Sequence, residues 1–254
     1  MVRIFGCVAC VVVMMGTAWP TRTVAQTTAG RDFVIHLTPG VAKGSCRGQK
    51  YQVGAFGGEA TQLPDTKASG EAIAVPTGLQ GQPATSLRVA LWCRGYSMVL
   101  IDVPSLPAST FQAQVSLVPL NDVPFSGKVS ASADGISMVG ATLRVFYQAP
   151  WLCRFFGWLD CLVPQWEVSA GTIRDDSTFA VMVPDFAADP AILAAVPSAI
   201  GGLGVRAVPG VTPPAEDRGV LLLRADRRAA PYNWWLGSLP LAARYVDMAL
   251  QPSR

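Results

Sequence analysis

Histidine is nearly absent from this 254-residue chain, the single copy being His36. That leaves most hydrolase and metalloenzyme layouts short of their commonest general base and metal ligand. No Gly-x-Ser-x-Gly elbow singles out a serine for His36 to activate, so it reads as a structural or solvent-facing residue. Charge is also scarce, at 15% of residues with a formal net charge of +3, and no strong electrostatic partner is implied. The longest early apolar run, Ile4 to about Met15, falls short of the ~20 residues that a spanning helix needs, and no later run reaches that length.

What is abundant is apolar residues, at 50%, together with 24 Gly and 20 Pro and a mean hydropathy of +0.34. Such a chain folds around a core, and its many turn residues suit short strands better than long helices. Residues 1–25 read as a secretory signal peptide, with Arg3, an apolar stretch and small residues before a cut after Ala25 or, alternatively, Ala18. Loss of Arg3 and Arg22 lowers Lys+Arg from 20 to 18 against 17 acidic residues, and so near-neutral a chain makes nucleic acid a poor partner. The cysteines that stay are Cys46, Cys93, Cys153 and Cys161, an even number in an exported chain and hence two disulfides. Three connectivities are open; proximity favours Cys153 with Cys161, which leaves Cys46 with Cys93. None of these four forms a Cys-x-x-Cys pair that would support zinc.

Short apolar segments bounded by turns recur along residues 26–120, at Phe33–Leu37, Ala72–Val75, Ser86–Cys93, Ser97–Val103 and Phe111–Val118. A second unit spans 121–226. Phe125, Gly127, Val129 and Ala131 alternate with polar residues, as do Ala141, Leu143, Val145 and Tyr147; Glu167–Ile173 then reverses at Arg174-Asp175-Asp176-Ser177 and returns through Phe179, Val181 and Val183. The expected fold is all-β, two immunoglobulin-like or transthyretin-like sandwiches in tandem, followed by a C-terminal extension at 227–254 in which Leu241–Leu250 reads as a short helix.

The order Phe125-Ser126-Gly127-Lys128-Val129, Gly140-Ala141-Thr142-Leu143-Arg144-Val145, then Thr172–Asp185 with Phe179 and Pro184, resembles the carboxypeptidase regulatory-like domain, a prealbumin-like sandwich. The resemblance covers about 122–186, with a further strand at 220–224. This sequence departs from the family pattern at Asp176-Ser177-Thr178, where a Gly is usual, and at Pro184-Asp185-Phe186, where a Pro-Gly-x-Tyr ending is usual. The resemblance implies an accessory or binding module and carries over no peptidase activity, because a lone His cannot supply the ligands of a catalytic zinc domain.

The most distinctive stretch is Trp151-Leu152-Cys153-Arg154-Phe155-Phe156-Gly157-Trp158-Leu159-Asp160-Cys161, followed by Trp166. As a disulfide-closed hairpin tip it would present Trp151, Phe155, Phe156, Trp158 and Trp166 to a partner at low entropic cost; folded back, the same residues would be a flap over the core. Asn233-Trp234-Trp235-Leu236 has similar character. Asp175, Asp176, Asp185 and Asp189 lack the spacing of a calcium loop and read as turn and helix-start residues. The expectation is therefore an exported, non-catalytic envelope protein that contacts a protein or glycan, with no cofactor and no metal. The alternative is a carboxylate-dependent extracellular hydrolase with its site between the modules.

Overall fold

The computed structural model describes residues 32–42, 44–54, 57–63, 72–76, 78–79, 82–83, 85–106, 111–131, 135, 137–156, 163–201, 218–226 and 233–249. The architecture is all-β, and among these residues strands from the two halves of the chain do not share a sheet.

In the first half, β1 (Asp32–Thr38) turns Phe33, Ile35 and Leu37 inward, as strict alternation requires. It pairs antiparallel with β4 (Ala72–Pro76) and parallel with β9 (Phe111–Ser116), where Phe33 stacks on Phe111 at 5.3 Å. The facing sheet has the order β3 (Gly57–Gln62), β2 (Cys46–Gly54), β7 (Ser86–Cys93), β8 (Val99–Val103). A two-stranded ribbon, β5 (Gly78–Leu79) with β6 (Gln82–Pro83), lies between β4 and β7 in sequence. Cys46 and Cys93 face one another across β2 and β7 and are disulfide-bonded, within one sheet, with both side chains in the first core.

The second half places β10 (Asp122–Ser130) between β13 (Thr178–Pro184) and β16 (Tyr245–Ala249), facing a sheet ordered β12 (Gln165–Thr172), β11 (Thr142–Gln148), β14 (Val220–Asp226), β15 (Asn233–Pro240). Among the described residues, two helices join strands, α1 (Trp151–Phe156) and α2 (Pro190–Gly201). At Gly127, β10 meets both neighbours closely: a methyl group there would collide with the Val246 carbonyl oxygen and the Phe179 ring.

Three expectations change here. Leu241–Leu250 holds a strand where a short helix was expected. Val246 and Met248 turn inward while Tyr245, Asp247 and Ala249 are exposed, and β16 completes the β10 sheet by parallel pairing. The segment from residue 227, expected as an extension, thus supplies β15 and β16 to the second sandwich. Strand β2 lies where no strand was expected, because Lys50 and Gln52 occupy inward positions and break the apolar alternation.

The two sandwiches are fused along β7. Leu87, Val89, Leu91 and Cys93 belong to the first core, while Ala90 and Trp92, on the opposite face, join Met98 and Leu120 in the core of the second sandwich. Trp92 meets Phe186 edge-on at 5.9 Å, Phe186 stacks on Tyr147 at 4.3 Å, and Tyr147 leans on Trp166 at 6.4 Å. The connection between modules is pinned as well: Leu120 N donates to Gly95 O, Ser97 N to Val118 O, and Asp185 N to Asn121 O.

Candidate functional site

The same period-2 geometry that sends Cys46 and Cys93 into the first core sends their neighbours out the other way. Arg47 and Trp92 are direct partners across β2 and β7, one residue along from the disulfide pair. With Gly44, Ser45 and Arg94 they form one wall of a cleft of about 450 Å³. The other wall is Glu167, Val168, Ser169 and Ala170 of β12, an edge strand of the second sandwich. A bulge positions that wall: the β11–β12 register slips between Val145 and Phe146, so Val168 is extra and the edge bends. The cleft therefore lies between the modules, with the disulfide holding the base of its first wall.

Its electrostatics are asymmetric. Arg47 is held by the Gly44 and Cys46 carbonyl oxygens, at 3.0 and 3.2 Å. The Arg94 guanidinium is exposed and makes no hydrogen bond or ion pair among the described residues. Glu167, the one carboxylate in the lining, accepts from Arg144 Nη1 at 2.9 Å. Arg144 Nε in turn lies 2.8 Å from Asp226 Oδ2, an ion pair too bent to count as a hydrogen bond. Trp92 is 3% exposed, and its Nε1–H is buried with no acceptor among the described residues. Among the lining side chains, the one full charge without a partner among the described residues is therefore the Arg94 cation. Among the described residues, Glu167 has no second carboxylate beside it in the lining to form a hydrolase pair.

No family model matches the chain, and no curated protein matches it. Among solved structures, a 9R-lipoxygenase from Cyanothece PCC8801 is similar at 12% identity and a TM-score of 0.24, over 50% of this chain and 16% of that one. The shaft pilin SpaA from Lactobacillus rhamnosus GG is similar at 10% identity over 89% of this chain and 98% of that one, TM-score 0.23. A streptococcal ancillary pilin is similar at 12% identity, over 89% and 64% of the two chains, TM-score 0.27. At TM-scores this low the likenesses assign neither family nor function.

The aromatic residues singled out from sequence fall into two groups. Trp151 and Trp166 are each 2% exposed and belong to the second core, so neither is available to a partner in the folded protein. Trp151 opens α1, a helical turn where a hairpin tip was expected, and its Nε1 donates to the Tyr147 hydroxyl at 2.9 Å. That hydroxyl donates to Arg218 O at 2.7 Å, and Arg218 Nη1 donates to Ala187 O at 2.7 Å. Burial pushes the Tyr147 phenol well above its ordinary value; the bond from Trp151 opposes the shift and the charge of Asp189 adds to it. The side chains of Phe155 and Phe156, and Trp158 as a whole, lie outside the described residues, as do the side chains of Trp234 and Trp235. Cys153 is disulfide-bonded, and Cys161, its expected partner, lies outside the described residues. His36 lies on β1 with its Nε2 buried and without a partner among the described residues.

The carboxylates weighed for calcium are dispersed into separate structural tasks. Asp176 accepts from the Thr178 hydroxyl and amide, which holds its carboxyl below the ordinary range. Asp185 pairs with Arg244 at 3.0 Å. Asp189 is fully buried at the start of α2. Its Oδ1 accepts from Ala191 N at 2.8 Å, Ile192 N at 3.3 Å and Ser97 Oγ at 2.5 Å, and its Oδ2 from Met98 N at 2.9 Å. It is a helix cap and an inter-module clamp in one side chain. Sequence reasoning found the helix-start role and missed the clamp, because Ser97 and Met98 stand more than ninety residues away.

Proposed function

We propose that this protein is an exported, non-catalytic element of the cell envelope, two β-sandwiches locked into one rigid body that holds a protein or glycan partner. The observation that carries the reading is the seam. Trp92, Met98 and Leu120 of the first module are buried in the core of the second, and Asp189 clamps the Ser97–Met98 backbone. A shared core of this kind suits a scaffold of fixed geometry better than two modules that must hinge around a reaction. The Cys46–Cys93 disulfide fits the oxidising compartment to which residues 1–25 would direct the chain.

The partner contact is assigned to the segment around Phe155, Phe156 and Trp158, tethered through Cys153. The test is site-specific photo-crosslinking from residue 156 in the full-length protein, expressed in its own envelope. A discrete adduct that disappears in the Phe155→Ala/Trp158→Ala variant, at unchanged melting temperature, supports the assignment. An adduct pattern indifferent to that variant, or turnover of a substrate in a broad hydrolase screen, overturns it.

A further inference from the structure

We infer that the inter-module cleft is a binding site for a small carboxylate-bearing molecule, a function beyond the partner contact assigned to residues 155–158 and independent of it. Three features of the lining converge. The cleft volume, about 450 Å³, lies within the range of small-ligand sites and holds a monosaccharide or the end of a short peptide. Its charge is uncompensated at Arg94: Glu167, the carboxylate among the lining residues, is already engaged by Arg144. Its polar side chains without a partner include donors. The Arg94 guanidinium has no partner among the described residues, and the buried Trp92 N–H has no acceptor there. Ser169, 6% exposed on the opposite wall, makes no side-chain hydrogen bond among them either.

An acceptor-rich anion satisfies all three. A carboxylate takes up the Arg94 charge, with Arg47 next along the same wall, while a further oxygen on the ligand accepts from the Ser169 hydroxyl. A cation meets guanidinium charge, and an apolar ligand covers the Arg94 guanidinium without pairing it; both are disfavoured on the same grounds. The disulfide contributes by fixing the Cys46–Cys93 pair, from which Arg47, Trp92 and Arg94 all project as immediate neighbours. The ligand then meets a preformed site and loses little free energy to ordering it. The required carboxylate is present both in acidic sugars and in free peptide C-termini, and the experiment separates these sources.

The experiment is titration calorimetry of the full mature chain with four probes: galacturonate, its neutral twin galactose, N-acetylalanine, and N-acetylalanine amide. At least one of the two acids is expected to bind about tenfold or more tightly than its neutral twin, and which acid does so identifies the source. Arg94→Ala should weaken that binding by about tenfold or more, since a hydrogen bond between charged groups is at stake. Arg88→Ala, at an exposed ion pair with Asp102 elsewhere on β7, should leave it unchanged. Because Arg94 is exposed, its variant is expected to melt at the wild-type temperature, which separates lost binding from lost folding. Equal binding of acid and neutral twin, binding insensitive to Arg94→Ala, or no binding by any of the four overturns the assignment.

Discussion

Removal of the Asp189 carboxylate should uncouple the modules and weaken the fold more than its small size suggests. Four donors converge on this fully buried group, two from the first turn of α2 and two from the Ser97–Met98 segment of the other module. In Asp189→Ala the helix loses its cap, worth about 1 kcal/mol. The Ser97 hydroxyl and Met98 N–H are left buried without an acceptor, at about 1.5 kcal/mol each, for a total near 4 kcal/mol. Asp189→Asn keeps a cap and one acceptor oxygen but sets an amide N–H against one of the two inter-module donors, for about 2 kcal/mol. At roughly 2–4 °C per kcal/mol for a chain of this size, melting should fall by about 4–8 °C in the Asn variant and 8–16 °C in the Ala variant. The assay is urea and thermal unfolding followed by tryptophan fluorescence and by circular dichroism together. The wild type is expected to lose both signals in one transition, because the modules share a core, and Asp189→Ala to split them. Asp189→Ala within about 0.5 kcal/mol of wild type, the usual range of surface changes, would refute the clamp. Equal costs for Asn and Ala would refute the division between cap and clamp.

Four further outcomes follow from particular contacts. Cys46→Ser/Cys93→Ser should cost about 4 kcal/mol in denaturant unfolding on the chain-entropy estimate for the 47-residue separation, and a fully reduced wild type, which also loses the Cys153 bridge, should be at least as destabilised. Gly127→Ala should cost about 1–3 kcal/mol and weaken protection of β16 amides in hydrogen exchange, because the added methyl displaces the Val246 backbone; an unprotected β16 in the wild type would negate this. Tyr147 is held neutral in the native state while the unfolded phenol ionises near 10.0. Stability is therefore full below about pH 10 and declines as pH rises beyond it, and Tyr147→Phe should flatten that decline in pH-dependent melting. Trp166→Ala should cost about 3–5 kcal/mol, as a large core truncation does; a loss confined to partner binding, with stability intact, would contradict its burial.

How much was legible from sequence depended on whether a strand is covered by its own module alone. Phe33, Ile35 and Leu37 alternate with polar or partly exposed neighbours and announce β1; Phe179, Val181 and Val183 announce β13 in the same way. Strand β7 is harder to interpret. Leu87, Val89, Leu91 and Cys93 mark one buried face, but Ala90 and Trp92 are buried on the other only because a second sandwich covers them. Strand β2 escaped notice for the converse reason, since Lys50 and Gln52 sit where apolar residues were sought. The segment Leu241–Leu250 that holds β16 reads locally as helix-forming Leu, Ala and Met, and only the open edge of β10, more than a hundred residues earlier, makes it a strand.

The candidate site divides along the same line. The even set of cysteines and the aromatic density of 151–166 are properties of the chain; proximity along it favoured the Cys46–Cys93 bridge, which the structure contains, and Cys153 is disulfide-bonded. Whether those aromatics face a partner or a core is a matter of what packs over them, and for Trp151 and Trp166 the answer is the core of the second sandwich. The cleft has no sequence motif at all. Arg47, Arg94 and Glu167 are ordinary surface residues in one dimension, brought together by a disulfide on one side and an edge bulge on the other. Local alternation thus determined strand identity and facing, because side-chain period is a property of the backbone itself. The seam, the clamp and the cleft were decided by tertiary structure, because each is made of pairs that only long-range packing places side by side.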